Sequence, residues 1–259
     1  MISIVVLTYS RVHLLEQCVT NVLSRTSDAT GEIVIWDNAS TDGTAAYLGG
    51  LRDPRIRVVR HERNIGQSAY ASAFAATRGD YLIELDDDIV DAPPCWDRTL
   101  LDAFQRLPEI GFLAANLVDN EHDEAAYVMH HLRPDAYRHV DMSGVGLLEG
   151  PTGGGCAITS RELYDRVGGF RRNERFVFWS EDDAYVRDLA RLGFKAAILE
   201  DLRVLHAGGA YYSPIVPEKA QWWAMERRRR RRKDAIKKAL LCIPFVRPLN
   251  DHYRWFSAP

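Results

Sequence analysis

The chain has 259 residues, 46% hydrophobic and 27% charged, with 18 Gly and 11 Pro. That is enough apolar material for a full core, and it excludes collagen-like, low-complexity and disordered classes. No run approaches the roughly 20 consecutive apolar residues of a spanning helix, and Met1 leads into a strand-like run without a basic segment before it. The expectation is a chain with neither transmembrane helix nor signal peptide. Cys18, Cys95, Cys156 and Cys242 lie far apart with no C-x-x-C pair, so they suggest neither a zinc site nor a disulfide framework, and a cytoplasmic location fits. The net charge of −3 conceals an asymmetry: residues 219–259 carry 12 Lys/Arg against 3 Asp/Glu, while residues 1–218 carry 21 against 33.

In chain order, Ile2 to Thr8 is a β-branched run ending in polar Thr8, Tyr9 and Ser10, as in a buried parallel strand that delivers a loop at its carboxyl end. Leu14, Leu15, Cys18, Val19, Val22 and Leu23 recur at helical spacing, and Glu32 to Trp36 reads as a second strand. Further strands are expected at 56–59, 81–85 and 112–115, with helices near 44–51, 67–77 and 96–107. This alternation predicts an α/β fold with a doubly wound, mostly parallel sheet. Beyond residue 116 the pattern becomes α+β, with short strands near 126–131 and 136–142, a Gly-rich loop at 150–155, and helices near 160–167 and 182–192. The expected organisation is a lobe at 1–115, a second lobe at 116–212, and a basic, partly amphipathic tail at 213–259.

The strongest local signal is Tyr81-Leu-Ile-Glu-Leu-Asp-Asp-Asp88, an apolar strand running into three carboxylates. Asp86 and Asp88 lie two apart and share a face if the strand continues, offering hard oxygen ligands for Mg²⁺ or Mn²⁺. Such a site at the carboxyl end of a parallel strand is where α/β sheets bind ligands. The cluster is expected to be exposed and to contribute little to core stability; the competing reading is a solvated acidic turn that caps the next helix. A second polar segment, Asp37-Asn-Ala-Ser-Thr-Asp-Gly-Thr44, follows the second strand. There Asp37 can accept hydrogen bonds from a nucleobase imide or a ribose, while Thr41 or Asp42 caps the following helix.

The order T-Y-x-R (from Thr8), D-N-A-S-T-D-G-T (from Asp37), R-N-x-G (from Arg63) and D-D-D (from Asp86) closely resembles the nucleotide-sugar-binding half of the family 2 inverting glycosyltransferases, which have the GT-A fold. The likeness spans roughly residues 1–90. It implies that the acidic string is the family's D-x-D motif, holding a divalent cation, Mn²⁺ or Mg²⁺, that bridges the donor diphosphate. It implies further that Thr8, Tyr9 and Arg11 line the nucleotide pocket, that Asp37 contacts the nucleobase, and that Asn38, Asn64, Gly66 and Asp87 belong to the same donor site. Ser10 stands where many relatives carry Asn.

The second half continues the resemblance more loosely. Gly153, Gly154 and Gly155 open a stretch similar to the family's small-residue loop, on the acceptor side, followed by a short helix and a G-G-F turn. Glu181-Asp182-Asp183 resembles the acceptor-side E-D segment that supplies the catalytic base. Asp182 is the expected base, Glu181 the close alternative, and Asp183 the residue that orients or caps. His206 ends an apolar strand and is either a structural hydrogen bonder or, as relatives imply, a third metal ligand.

No G-x-x-x-x-G-K-[ST] occurs, and Tyr9-Ser-Arg11 follows the first strand in place of G-x-G-x-x-G, which removes P-loop and dinucleotide-oxidoreductase readings. A sugar-phosphate nucleotidyltransferase remains an alternative, though the Gly-rich basic loop it wants is missing. Arg227 to Arg232 raise a nucleic-acid-binding alternative, which the acidic body disfavours. The resulting expectation is a metal-assisted inverting transfer of a sugar from a nucleoside diphosphate donor to a glycan, lipid-linked or other hydroxyl acceptor, with the tail docking peripherally on an anionic membrane surface.

Overall fold

The computed structural model describes residues 1–119, 136–173 and 181–207, together with positions 225, 228, 231, 232, 235, 236 and 239–242. Residues 1–215 form one compact unit and residues 216–259 a second.

The first unit begins with a strict alternation: β1 (Ile2–Thr8), α1 (Val12–Arg25), β2 (Thr30–Asp37), α2 (Thr44–Gly50), β3 (Ile56–Arg60), α3 (Ser68–Ala75) and β4 (Tyr81–Asp86). β1, β2 and β4 are buried along most of their length, which is why they read as continuous apolar runs: a parallel sheet is covered on both faces. α1 supplies part of the cover through Leu14, Leu15, Cys18, Val19 and Val22, all buried on one stripe. The chain continues with β5 (Ile89–Asp91), α4 (Trp96–Arg106), β6 (Ile110–Asp119), β7 (Arg138–Met142), β8 (Val145–Glu149), β9 (Cys156–Ser160), α5 (Arg161–Val167), α6 (Glu181–Arg191) and β10 (Lys195–His206).

These strands form one ten-stranded sheet in the order β3-β2-β1-β4-β9-β6-β10-β8-β7, with β5 paired to β10. β3, β2, β1 and β4 are mutually parallel, as are β6 and β10. β9 runs antiparallel between β4 and β6, so a strand from the second half of the chain is built into the centre of the sheet. The expected strand at 112–115 is the middle of a longer one, and β5, β8 and β9 are additions that alternation of strand and helix does not foresee. The expected strand at 126–131 lies outside the described residues.

Beneath the carboxyl end of β4, five aromatic rings interlock. Tyr70 and Phe74 of α3 meet Phe170 at centroid distances of 6.2 and 5.3 Å, and Phe170 meets Tyr185 of α6 at 4.9 Å. Tyr164 of α5 touches Phe74, Phe170 and Tyr185. Offset and tilted pairs of this kind add about 0.5–1.5 kcal/mol each beyond burial. The cluster ties the start of α6, which carries the acidic triplet, to the parallel half of the sheet.

Candidate active site

The acidic string does not continue as a strand. β4 ends at Asp86, and Asp87 and Asp88 form a turn before β5, so Asp86 and Asp88 converge through the turn and not through the alternation of a pleat. Nor is the cluster exposed. Asp87 and Asp88 are fully buried and only Asp86 is partly open. Buried carboxylates need a counter-charge, and Arg11 supplies it: its guanidinium pairs with Asp87 and, through Nη1, with Asp88 Oδ2 at 3.1 Å. Arg11 is itself buried, so it acts inside the acidic turn as an internal cation. Burial, together with repulsion from Asp88, still pushes the Asp87 carboxyl up to about 7, against the lowering effect of Arg11.

His206, at the end of β10, reaches the same turn. Pairing of β10 with β5 sets His206 opposite Ile89, and the Ala207 amide donates to the Asp88 carbonyl at 2.8 Å. The imidazole Nε2 lies 3.4 Å from Asp88 Oδ1. One ligand atom from each of Asp86, Asp88 and His206 lies within 4.8 Å of the others. Two carboxylate oxygens and an imidazole nitrogen are a donor set suited to a divalent cation, and the nitrogen favours Mn²⁺ over Mg²⁺. The site therefore fits the cation that the D-x-D resemblance implies. Tyr70 Oη donates to Asp86 Oδ1 at 3.1 Å and orients that carboxylate.

The Gly153–Gly155 loop (153–155) crosses the site. The Asp86 amide donates to the Gly155 carbonyl at 2.8 Å, and Gly155 takes a φ of +76°, where a side chain would also press on Leu117. Gly154 donates its amide to Asp182 Oδ2 at 2.7 Å. A β-carbon on Gly154 would stand 2.5 Å from Glu84 Oε1, so any side chain here would have to displace that buried carboxylate. Glu181, Asp182 and Asp183 form the first turn of α6, where the helix dipole favours negative charge. Glu181 is buried, Asp182 half-buried and Asp183 exposed, with Asp183 held by Arg187 Nη1 at 2.9 Å. Burial, reinforced by neighbouring carboxylates, raises the Glu84, Glu181 and Asp182 carboxyls above their ordinary range.

On the other side of Asp86 lies the loop that opens α2. Asp37 is fully buried at the end of β2; its Oδ1 accepts from the Ser40 amide at 2.8 Å and its Oδ2 from Arg60 Nε at 3.2 Å. Asn38 is a tie between loops: its Nδ2 donates to Asn64 Oδ1 at 2.8 Å and to the Gly66 carbonyl at 3.2 Å, and its Oδ1 accepts from the Ile65 amide at 3.0 Å. Thr8 is buried at the end of β1 opposite Asp37, and Tyr9 follows it half-buried. Asp42 accepts from the Val12 amide at 2.9 Å and from the Thr44 amide at 3.0 Å, so one carboxylate holds the starts of both α1 and α2.

The sequence profile of Glycosyl transferase family 2 matches residues 3–168, which takes in the donor-side loops, the acidic turn and the glycine loop. The chain belongs to glycosyl transferase family 2. An 88-residue stretch is 30% identical to the succinoglycan biosynthesis protein ExoO of Rhizobium meliloti, covering 34% of this chain and 25% of ExoO. The mannosyltransferase PcManGT from Pyrobaculum calidifontis, solved in complex with GDP-Man and Mn²⁺, superposes with a TM-score of 0.58 at 23% identity over 85% of this chain and 61% of that one. S. aureus TarS 1-349 in complex with UDP-GlcNAc gives 0.59 at 16% identity, over 80% and 58%. These structures share the GT-A fold with this chain. The chain spans about a quarter or less of the length of the curated relatives it matches.

In this family 2 chain, the structure brings Asp86, Asp88, His206, the glycine loop and Asp182 to one place. Thr8, Asp37, Asn38, Asn64 and Gly66 gather at the adjoining strand ends, where Asn38 and Asn64 serve mainly to bind the two loops together. Sequence reasoning passed over Glu84. Its signal was a lone carboxylate inside the apolar run Tyr81 to Leu85, a placement that costs free energy unless something meets it.

Proposed function

We propose that this chain transfers a sugar from a nucleoside diphosphate donor to a hydroxyl acceptor with inversion, assisted by a divalent cation. The observation that carries the reading is the glycine loop, which touches Asp86 through Gly155 and accepts Asp182 as the partner of the Gly154 amide. On this reading Asp86 as cation ligand and Asp182 as base would lie on two sides of one short backbone segment. Asp86, Asp88 and His206 would hold the cation, which when bound offsets charge on the departing diphosphate. The nucleoside would sit at the strand ends beside half-buried Tyr9, with buried Asp37 and Thr8 shaping the loops that border it.

Asp182 acts as general base. Its Oδ2 is anchored by the Gly154 amide and its Oδ1 accepts from the Asp183 amide at 2.7 Å, so the carboxylate is oriented while remaining half open to an incoming hydroxyl. Removal of the acceptor proton by Asp182 accompanies attack of the oxygen on the anomeric carbon, and the bond from that carbon to the diphosphate breaks in the same in-line displacement. Glu181 is buried and faces Glu84, which leaves Asp182 as the better placed of the two. PcManGT with GDP-Man and TarS with UDP-GlcNAc support a nucleotide sugar as donor, and ExoO supports a role in polysaccharide or glycoconjugate assembly.

The test is a thermal-shift screen of nucleoside diphosphates and nucleotide sugars with and without Mn²⁺. A ligand at 100 times its Kd stabilises the native state by about 2.7 kcal/mol. A rise in Tm that needs both a nucleotide and the cation is the expected result; no response to any nucleotide sugar would sink the proposal.

A further inference from the structure

The unit formed by residues 216–259 carries the basic excess of the chain. Met225, Arg228, Arg232, Ile236 and Ala239 are helical and exposed, and they follow one another at steps of three or four residues, the spacing that stacks side chains on one face of an α-helix. Met225 and Ile236 are 51% and 52% exposed, two of the four large hydrophobic side chains exposed among the described residues. Around them the sequence is strongly cationic: Arg227 to Arg232 are consecutive, Lys233, Lys237 and Lys238 follow, and Asp234 is the one acidic residue between 227 and 250.

A face that mixes guanidinium groups with exposed aliphatic side chains matches a surface with phosphates above and an apolar layer a few ångströms below. We propose that the Met225 to Ala239 face docks on an anionic lipid bilayer. Arg228 and Arg232 meet lipid phosphates while their methylene stems, with Met225 and Ile236, enter the boundary between headgroups and acyl chains. Nucleic acid offers the phosphates without the apolar layer, so it leaves the two aliphatic residues unexplained. The inference stands apart from the transfer reaction, because it uses none of the residues of the acidic turn or the glycine loop.

The test is co-sedimentation of the full chain with vesicles of phosphatidylcholine alone and of phosphatidylcholine with phosphatidylglycerol at 7:3. Binding to the mixed vesicles alone, weakened by 0.5 M NaCl, is expected. Each arginine near such a surface contributes about fivefold, so R228A/R232A lowers the partition coefficient about 25-fold. M225S/I236S weakens binding as well, which a purely electrostatic contact does not predict. Absence of binding to mixed vesicles, equal binding to both kinds, or binding untouched by M225S/I236S overturns the proposal. So does tighter, salt-sensitive binding of a 20-base-pair DNA duplex that M225S/I236S leaves unchanged. The salt and lipid arms use the unaltered chain and stand even where a variant fails to fold.

Discussion

Gly154 donates its amide to Asp182 Oδ2 at 2.7 Å, and the position a β-carbon would take on it lies 2.5 Å from Glu84 Oε1. One backbone position thereby couples a buried carboxyl on β4 to the proposed base on α6. A side chain on residue 154 would have to displace the Glu84 carboxylate, which makes the loop sensitive to what stands beneath it.

Gly154→Ala should therefore destabilise the chain by about 1–3 kcal/mol, the usual cost of overpacking. Adding Glu84→Ala should recover part of that loss, because the atoms that the new methyl would strike are gone. Denaturant unfolding of the two single variants and the double variant measures the coupling. Strictly additive losses would show that the loop yields freely at this point.

Asp182→Asn should lower the rate of nucleoside diphosphate release by about 10²-fold or more while leaving nucleoside diphosphate affinity intact, since general-base catalysis is typically worth 10² to 10⁴. Asp183→Asn should change the rate little, because Asp183 faces solvent and pairs with Arg187. The raised Asp182 carboxyl adds a pH signature. A base must be unprotonated, so a folded value above the ordinary 3.8 moves the acidic limb of the rate profile upward. An acidic limb at or below that ordinary value would speak against Asp182 as the base.

Asp88→Ala should abolish cation-dependent nucleotide binding and also cost about 1–3 kcal/mol of stability, because a buried carboxylate paired with Arg11 is removed. Arg11→Met should cost more, about 3–5 kcal/mol, since it strips the counter-charge from two buried carboxylates at once. Chemical denaturation in EDTA reads both without interference from metal. An Arg11→Met chain as stable as the parent would show that the acidic turn does not depend on this cation.

Glu84 and Glu181 have folded values raised by burial, so the native state holds protons that the unfolded chain releases. Stability then falls as pH rises from the ordinary value of 4.5 towards the raised folded values. In EDTA the chain should be more stable at pH 5 than at pH 8, and Glu84→Gln should flatten that slope. Unfolding free energies at several pH values check it; a slope equal in parent and variant would place the titration elsewhere.

Much of this protein is local in origin. The run Ile2 to Thr8 and the run Tyr81 to Leu85 are strands because unbroken apolar sequence suits a sheet covered on both faces, and polar residues follow at their carboxyl ends, where α/β sheets in general bind ligands. The acidic string, the Asp37 loop and the E-D-D turn were legible for the same reason: each is a short run whose chemistry depends on neighbours in sequence. The burial of Asp87 and Asp88 was not, because it depends on Arg11, which lies 76 and 77 residues away. Nor was the setting of Glu84, which is fixed only when the antiparallel pairing of β4 with β9 sets Glu84 against Ala157 and draws the glycine loop over its carboxylate. His206 meets Asp88 through the pairing of β10 with β5. Strand register between distant segments is decided by the packing of the whole sheet, and a residue's periodicity within its own strand carries no information about which strand lies beside it.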